Sequence, residues 1–175
     1  MDVRGVAVAV LILTAACGGE EAPEPQGQSP PAATGEEAAE IRVTSALFAT
    51  GGTIPVESTC DGENVSPPLA WTGVPEGAAE LHLILEDPDA PGGTFTHWNV
   101  TGIPSAPDQT GWQYVPRGSV PEGGTEQPND LGDGPYGGPC PPPGDEPHRY
   151  MFIVRALDEA GDVLAEGVLT GTYGR

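Results

Sequence analysis

The stretch LILEDPDAPGGTFTHWNV (83–100) contains a strand, a joint rich in proline and glycine, and a second strand. Its apolar start belongs to a longer run, ELHLILE (80–86), dense enough for a central strand. FTHWNVTGI (95–103) alternates as a half-buried strand does. A hairpin needs only a short turn, yet this joint carries Asp87 and Asp89 and leads straight to His97. Proline fixes φ and glycine admits unusual φ, so a joint containing Pro88, Pro91, Gly92 and Gly93 is built to hold one shape. Working outward, IRVTSALF (41–48), RYMFIVRAL (149–157) and GVLTGTYG (167–174) supply further strands, and no segment shows a helical stripe. These runs predict an all-β, β-rich domain with little helix. Between Pro104 and Pro147 almost nothing is periodic; Trp112, Tyr114, Tyr136 and Cys140 in that region predict that it packs onto a barrel or sandwich.

The formal net charge is −20 and the chain has no lysine. Such a surface repels phosphate backbones at long range, which argues against nucleic acid as a partner. Any anion bound here has to be captured locally by a few aimed groups. The N-terminal run VAVAVLILTAAC (6–17) reads as a signal-peptide core, too short to span a bilayer. Residues 1–16 are therefore expected to be a signal peptide. The ending LTAAC (13–17) is similar to a bacterial lipobox and predicts lipidation at Cys17, with a plain secretory signal as the competing reading. Residues 17–40 follow as a tether rich in Pro, Gly and Glu, and the folded domain is expected over 41–175. The expected location is extracytoplasmic, on a membrane, through the lipid. Cys60 and Cys140 then lie where thiols oxidise, and a disulfide between them is the economical reading. Two free thiols or a metal pair are the alternatives, although the spacing fits no zinc signature.

Three polar clusters punctuate the domain: CDGENVSPPLAW (60–71), DPDAPGGTFTHW (87–98) and GPCPPPGDEPHRY (138–150). Two of the three histidines, His97 and His148, lie in them. A carboxylate beside an imidazole favours the imidazolium, and such rings with turn amides can replace water around a phosphate or carboxylate. On this reading Asp87 orients and charges His97; taken alone, Asp87 and Asp89 read equally well as turn formers. His82 is a packing or outward-facing residue, Trp71 and Trp98 belong to the core, Arg149 pairs with an acidic loop residue, and DGEN (61–64) is a turn. Two rival readings reuse the cluster. One is a metal-dependent hydrolase built on His97, His148 and Asp87; the other is a hydrolase with Cys140 or Ser66 as nucleophile beside His148.

DPDAP, HW and GPCPPPG…HRY, in that order, resemble the phosphatidylethanolamine-binding protein family, specifically its bacterial Raf-kinase-inhibitor-like (YbhB/YbcL-type) branch. TCDGENVSPPLAW, GVPEGA, ND.G, ALD and the terminal LTGTYGR extend the likeness over nearly all of 45–175. The resemblance implies a sandwich of two antiparallel sheets with a small anion-binding cavity at one end and no enzymatic activity or cofactor. Carried over residue by residue, the cavity would be lined by Asp87, His97, Cys140 with Pro141 and Pro142, His148 and Tyr150, with Pro88, Asp89, Pro91 and Trp98 in support. Relatives often have glycine where this chain has Cys140, which would put a side chain at the rim. The implied partner is a small anionic ligand; nothing in the chain reads as a kinase-docking surface. Only EAGD (159–162) separates ALD from the terminal segment, where family members usually carry more chain, and this predicts a more open site, weaker binding or a less stable chain.

Overall fold

In the strand Glu80–Asp87 (β3) the side chains alternate between half-buried and buried, so Leu81, Leu83, Leu85 and finally Asp87 point into the core. The carboxylate is buried because it follows three leucines in a period of two. This computed structural model describes residues 40–106, 111–132 and 134–175. The expected signal peptide, Cys17 and nearly all of the tether lie outside the described residues. The other strands are β1 (Arg42–Ser45), β2 (Leu69–Thr72), β4 (Phe95–Pro104), β5 (Trp112–Val115), β6 (Thr125–Glu126), β7 (His148–Leu157) and β8 (Val163–Tyr173). A five-stranded sheet runs β6-β4-β3-β7-β8 and a three-stranded sheet runs β1-β2-β5, with every pair antiparallel. The two-sheet architecture expected from the resemblance is present. Among the described residues the one helical element is a 3-10 turn, Val56–Ser58.

The core is apolar and centred on Trp71, Trp98, Tyr150, Phe152 and the β3 leucines. Trp71 and Trp98 are core residues, as expected, and each indole N–H finds a side-chain acceptor, Gln113 Oε1 at 2.8 Å and Glu126 Oε1 at 2.7 Å. Gly167 lets β8 pass close to β1, since a Cβ there would overlap the Ile41 carbonyl.

Two expectations need correction. PPLAW is not simply the end of a polar loop, because Leu69 and Trp71 turn inward as part of β2. The region from Pro104 to Pro147 contains β5 and β6, whose runs of four and two residues are too short to show a period. Three residues of that region are tied to β4 by the backbone: Gln127 N–H donates to Asn99 O, Asp130 N–H to Thr96 O, and Gly137 N–H to His97 O.

Candidate functional site

β7 repeats the logic of β3. His148 and Tyr150 occupy inward positions ahead of Phe152, while Arg149 between them faces out. On β4 the register steps from Leu85–Trp98 to Glu86–Thr96 and leaves His97 without an opposite residue. This β-bulge allows two successive residues, His97 and Trp98, to be buried, and bulges commonly re-aim a side chain in this way. Asp87, His97, His148 and Tyr150 thus meet at one end of the five-stranded sheet. The His97 and His148 rings both pack on Tyr150, with centroids 5.4 and 6.5 Å away.

The pairing inside this cluster differs from the expectation. Asp87 engages His148, not His97: Nδ1 of His148 donates to Oδ2 of Asp87 at 2.8 Å, and both side chains are almost fully buried. The other Asp87 oxygen accepts the Asp89 N–H at 2.9 Å. His97 instead points Nδ1 at the Gly137 carbonyl, 3.0 Å away. Burial pushes the His97 pKa below its ordinary value; the Gly137 carbonyl, the Asp87 charge and the Gly138 carbonyl offset this in part. His97 is therefore biased toward the neutral ring. The expected acid-steered imidazolium at His97 is replaced by an acid-steered His148 on the neighbouring strand.

Tyr150 has a fully buried hydroxyl. Burial raises its pKa, followed by the Asp87 charge. The Asp87 carboxylate and the Cys140 amide lie near it, yet among the described residues no partner meets hydrogen-bond geometry. The Asp87 oxygens accept from His148 and Asp89. A buried hydroxyl without a partner is costly to the fold.

The supporting turns are fixed from several directions. Asp89 binds Arg149 with two side-chain bonds, at 2.7 and 2.9 Å, and also accepts its backbone N–H. The Arg149 side chain holds the Asp89 pKa down at about 2, helped by that N–H. Arg149 thus pairs with an acidic loop residue, as expected. Pro88 is half-buried and Pro91 exposed in the same turns. Cys60 and Cys140 form a disulfide, with Cα atoms 5.4 Å apart. Cys140 and Pro142 are exposed and Pro141 is buried. Oxidised in this way, Cys140 has no thiolate to attack a substrate. Asp61–Asn64 forms a turn in which Asn64, at φ 57°, accepts the Gly138 N–H at 2.7 Å. His82 is half-buried and pairs with Glu80 at 2.9 Å.

Beyond the ND.G match, the sequence carries no signal for a site role of Asn129 or Asp130. Asn129 Nδ2 donates to the carbonyls of His97 and Pro135, and Asp130 accepts the Thr96 N–H at 2.7 Å. Both hold the bulge that presents His97. Among the described residues no group of three or more His, Cys, Asp or Glu side chains is arranged to hold a metal ion. A groove of about 750 Å³ is lined by residues 40–50 with Val168 and Leu169 and includes none of the histidine cluster. The cluster, where polar side chains converge, is the better candidate for chemistry.

Residues 44–173 match the family model described as phosphatidylethanolamine-binding protein. The chain belongs to that family. A "UPF0098 protein" of Methanothermobacter thermautotrophicus is 45% identical over 147 residues, covering 73% of this chain and 95% of the relative. "Putative lipoprotein LppC" of Mycobacterium tuberculosis is 41% identical over 161 residues, covering 87% and 77%. The crystal structure of E. coli YbcL, described as a new member of the mammalian PEBP family, superposes with a TM-score of 0.68 at 32% identity, covering 78% of this chain and 99% of YbcL. Family membership supports a binding role and does not favour the hydrolase readings.

Proposed function

We propose that the protein binds, without catalysis, a small anionic group: a phosphate, a phospholipid headgroup or a carboxylate. The observation that carries this reading is the meeting of Asp87, His97, His148 and Tyr150 at one sheet end, with His148 Nδ1 locked by Asp87 and the Tyr150 hydroxyl buried without a partner among the described residues. With Nδ1 of His148 held by Asp87, Nε2 is the ring atom left to bond a ligand, and Tyr150 O–H and the Cys140 amide add donors beside it. Oriented donors in a low-dielectric notch hold a small anion even where the overall field is hostile. Pro141 and Pro142 stiffen the turn that carries the Cys140 amide. His97 shapes the wall by packing edge-on against Tyr150.

The export reading belongs to the same proposal. LTAAC and the name of the mycobacterial relative support a signal peptide over 1–16 and a lipidated Cys17 that holds the domain at a membrane surface. Titrating phosphate, phosphoethanolamine and acetate while following the ring nuclei of His97 and His148 by NMR tests the binding claim. Saturable shifts at both rings are expected. Rings that stay unmoved by all three would remove it.

A further inference from the structure

Nδ1 of His148 is committed to Asp87, so Nε2 is the ring nitrogen left to meet a ligand. Facing it, at 4.0 Å, is Oδ2 of Asp145, three residues earlier on the loop that leads into β7. That distance is too long for a hydrogen bond but short for a charge. The turn carrying Asp145 is set by the backbone: Asp145 N–H donates to the Pro142 carbonyl at 3.3 Å, and Gly144 N–H to the Arg175 carbonyl at 3.2 Å. The carboxylate lines a cleft of about 280 Å³ with Thr53, Pro147, Tyr173 and Arg175. Arg175, the cation in that lining, is turned to Asp61 at 3.1 Å and to Cys140 Sγ at 3.3 Å.

We propose that Asp145 is the specificity-determining residue of this site, a built-in anion that penalises doubly charged ligands at His148. The inference rests on the anion-binding reading above. A ligand oxygen hydrogen-bonded to Nε2 would lie at most about 7 Å from the Asp145 carboxylate, given ordinary bond lengths. That is within the Debye length at physiological salt, so the repulsion survives screening in part. A dianion meets it twice over and a monoanion once. The site then favours singly charged groups, such as a carboxylate or a phosphodiester, over a free phosphate dianion.

The test compares the full-length protein with Asp145→Asn and with Glu146→Gln, which removes the same charge from the neighbouring exposed residue. Inorganic phosphate at pH 7.5 and acetate are titrated by calorimetry. Asp145→Asn should bind phosphate about three- to tenfold more tightly, with a smaller gain for acetate and no change for Glu146→Gln. Equal phosphate affinity in wild type and Asp145→Asn, with both saturating, would overturn the role of Asp145 and leave the anion site standing. An equal gain in Glu146→Gln would overturn it too, by tracing the effect to the general field. No saturation of any of the three proteins by either anion would refute the anion site and this inference with it.

Discussion

Replacing Asp87 with asparagine probes the cluster at its hinge. Asp87 uses one oxygen for His148 Nδ1 at 2.8 Å and the other for the Asp89 N–H at 2.9 Å. Asparagine has a single oxygen. If that oxygen keeps the Asp89 N–H, its NH₂ faces His148 Nδ1, which must then become an acceptor. The reverse orientation sets donor against donor at Asp89. The expected result is an inverted tautomer, with the His148 proton moved from Nδ1 to Nε2. The energetic cost is the loss of one charge-assisted hydrogen bond between two nearly buried groups, about 2 kcal/mol, below the cost of leaving a charge unpaired because the amide still bonds both neighbours. For a domain of this size that is a drop of about 7 °C in Tm. Long-range ¹⁵N–¹H correlation spectra read the tautomer and thermal melts read the cost. A variant whose His148 keeps its Nδ1 proton, or whose stability moves by less than about 0.5 kcal/mol, would refute the pairing scheme.

Four further outcomes are expected. Tyr150→Phe removes a hydroxyl that has no partner among the described residues, so denaturation should move by less than about 1 kcal/mol while phosphate or acetate affinity falls about fivefold; a large loss of stability would mean the hydroxyl is bonded in the fold. The Cys60→Ser/Cys140→Ser double variant opens a crosslink of sequence separation 80 and should lose about 4–5 kcal/mol by chain-entropy arithmetic, measured against the oxidised protein in urea. Burial lowers the His97 pKa, so the unfolded chain takes up a proton that the folded one resists as pH falls below about 6.5. Stability should therefore decline from pH 7.5 to 5.5 more steeply in wild type than in His97→Gln, and parallel curves would refute this. Gly167→Ala would push a Cβ into the Ile41 backbone and should cost about 2–3 kcal/mol, whereas a neutral result would show that β1 can shift away.

The long strands and the polar residues near the site were legible in the chain. ELHLILED and HRYMFIVRAL declare their own period, and each carries its polar members into the core in register with leucine or phenylalanine. The family's ordered stretches added the two-sheet architecture and the members of the cluster. Which partner each member takes was decided only by tertiary structure. Asp87 is ten residues from His97 and 61 from His148, yet it bonds the distant ring, because β3 lies between β4 and β7 and the bulge at His97 swings that ring toward Gly137. The same holds for β5, β6 and the Asn129 clamp, whose stability comes from strands to which they are joined only in space. A local pattern can specify which face of a strand is buried; it carries no information on which of two neighbouring strands supplies the hydrogen-bond partner.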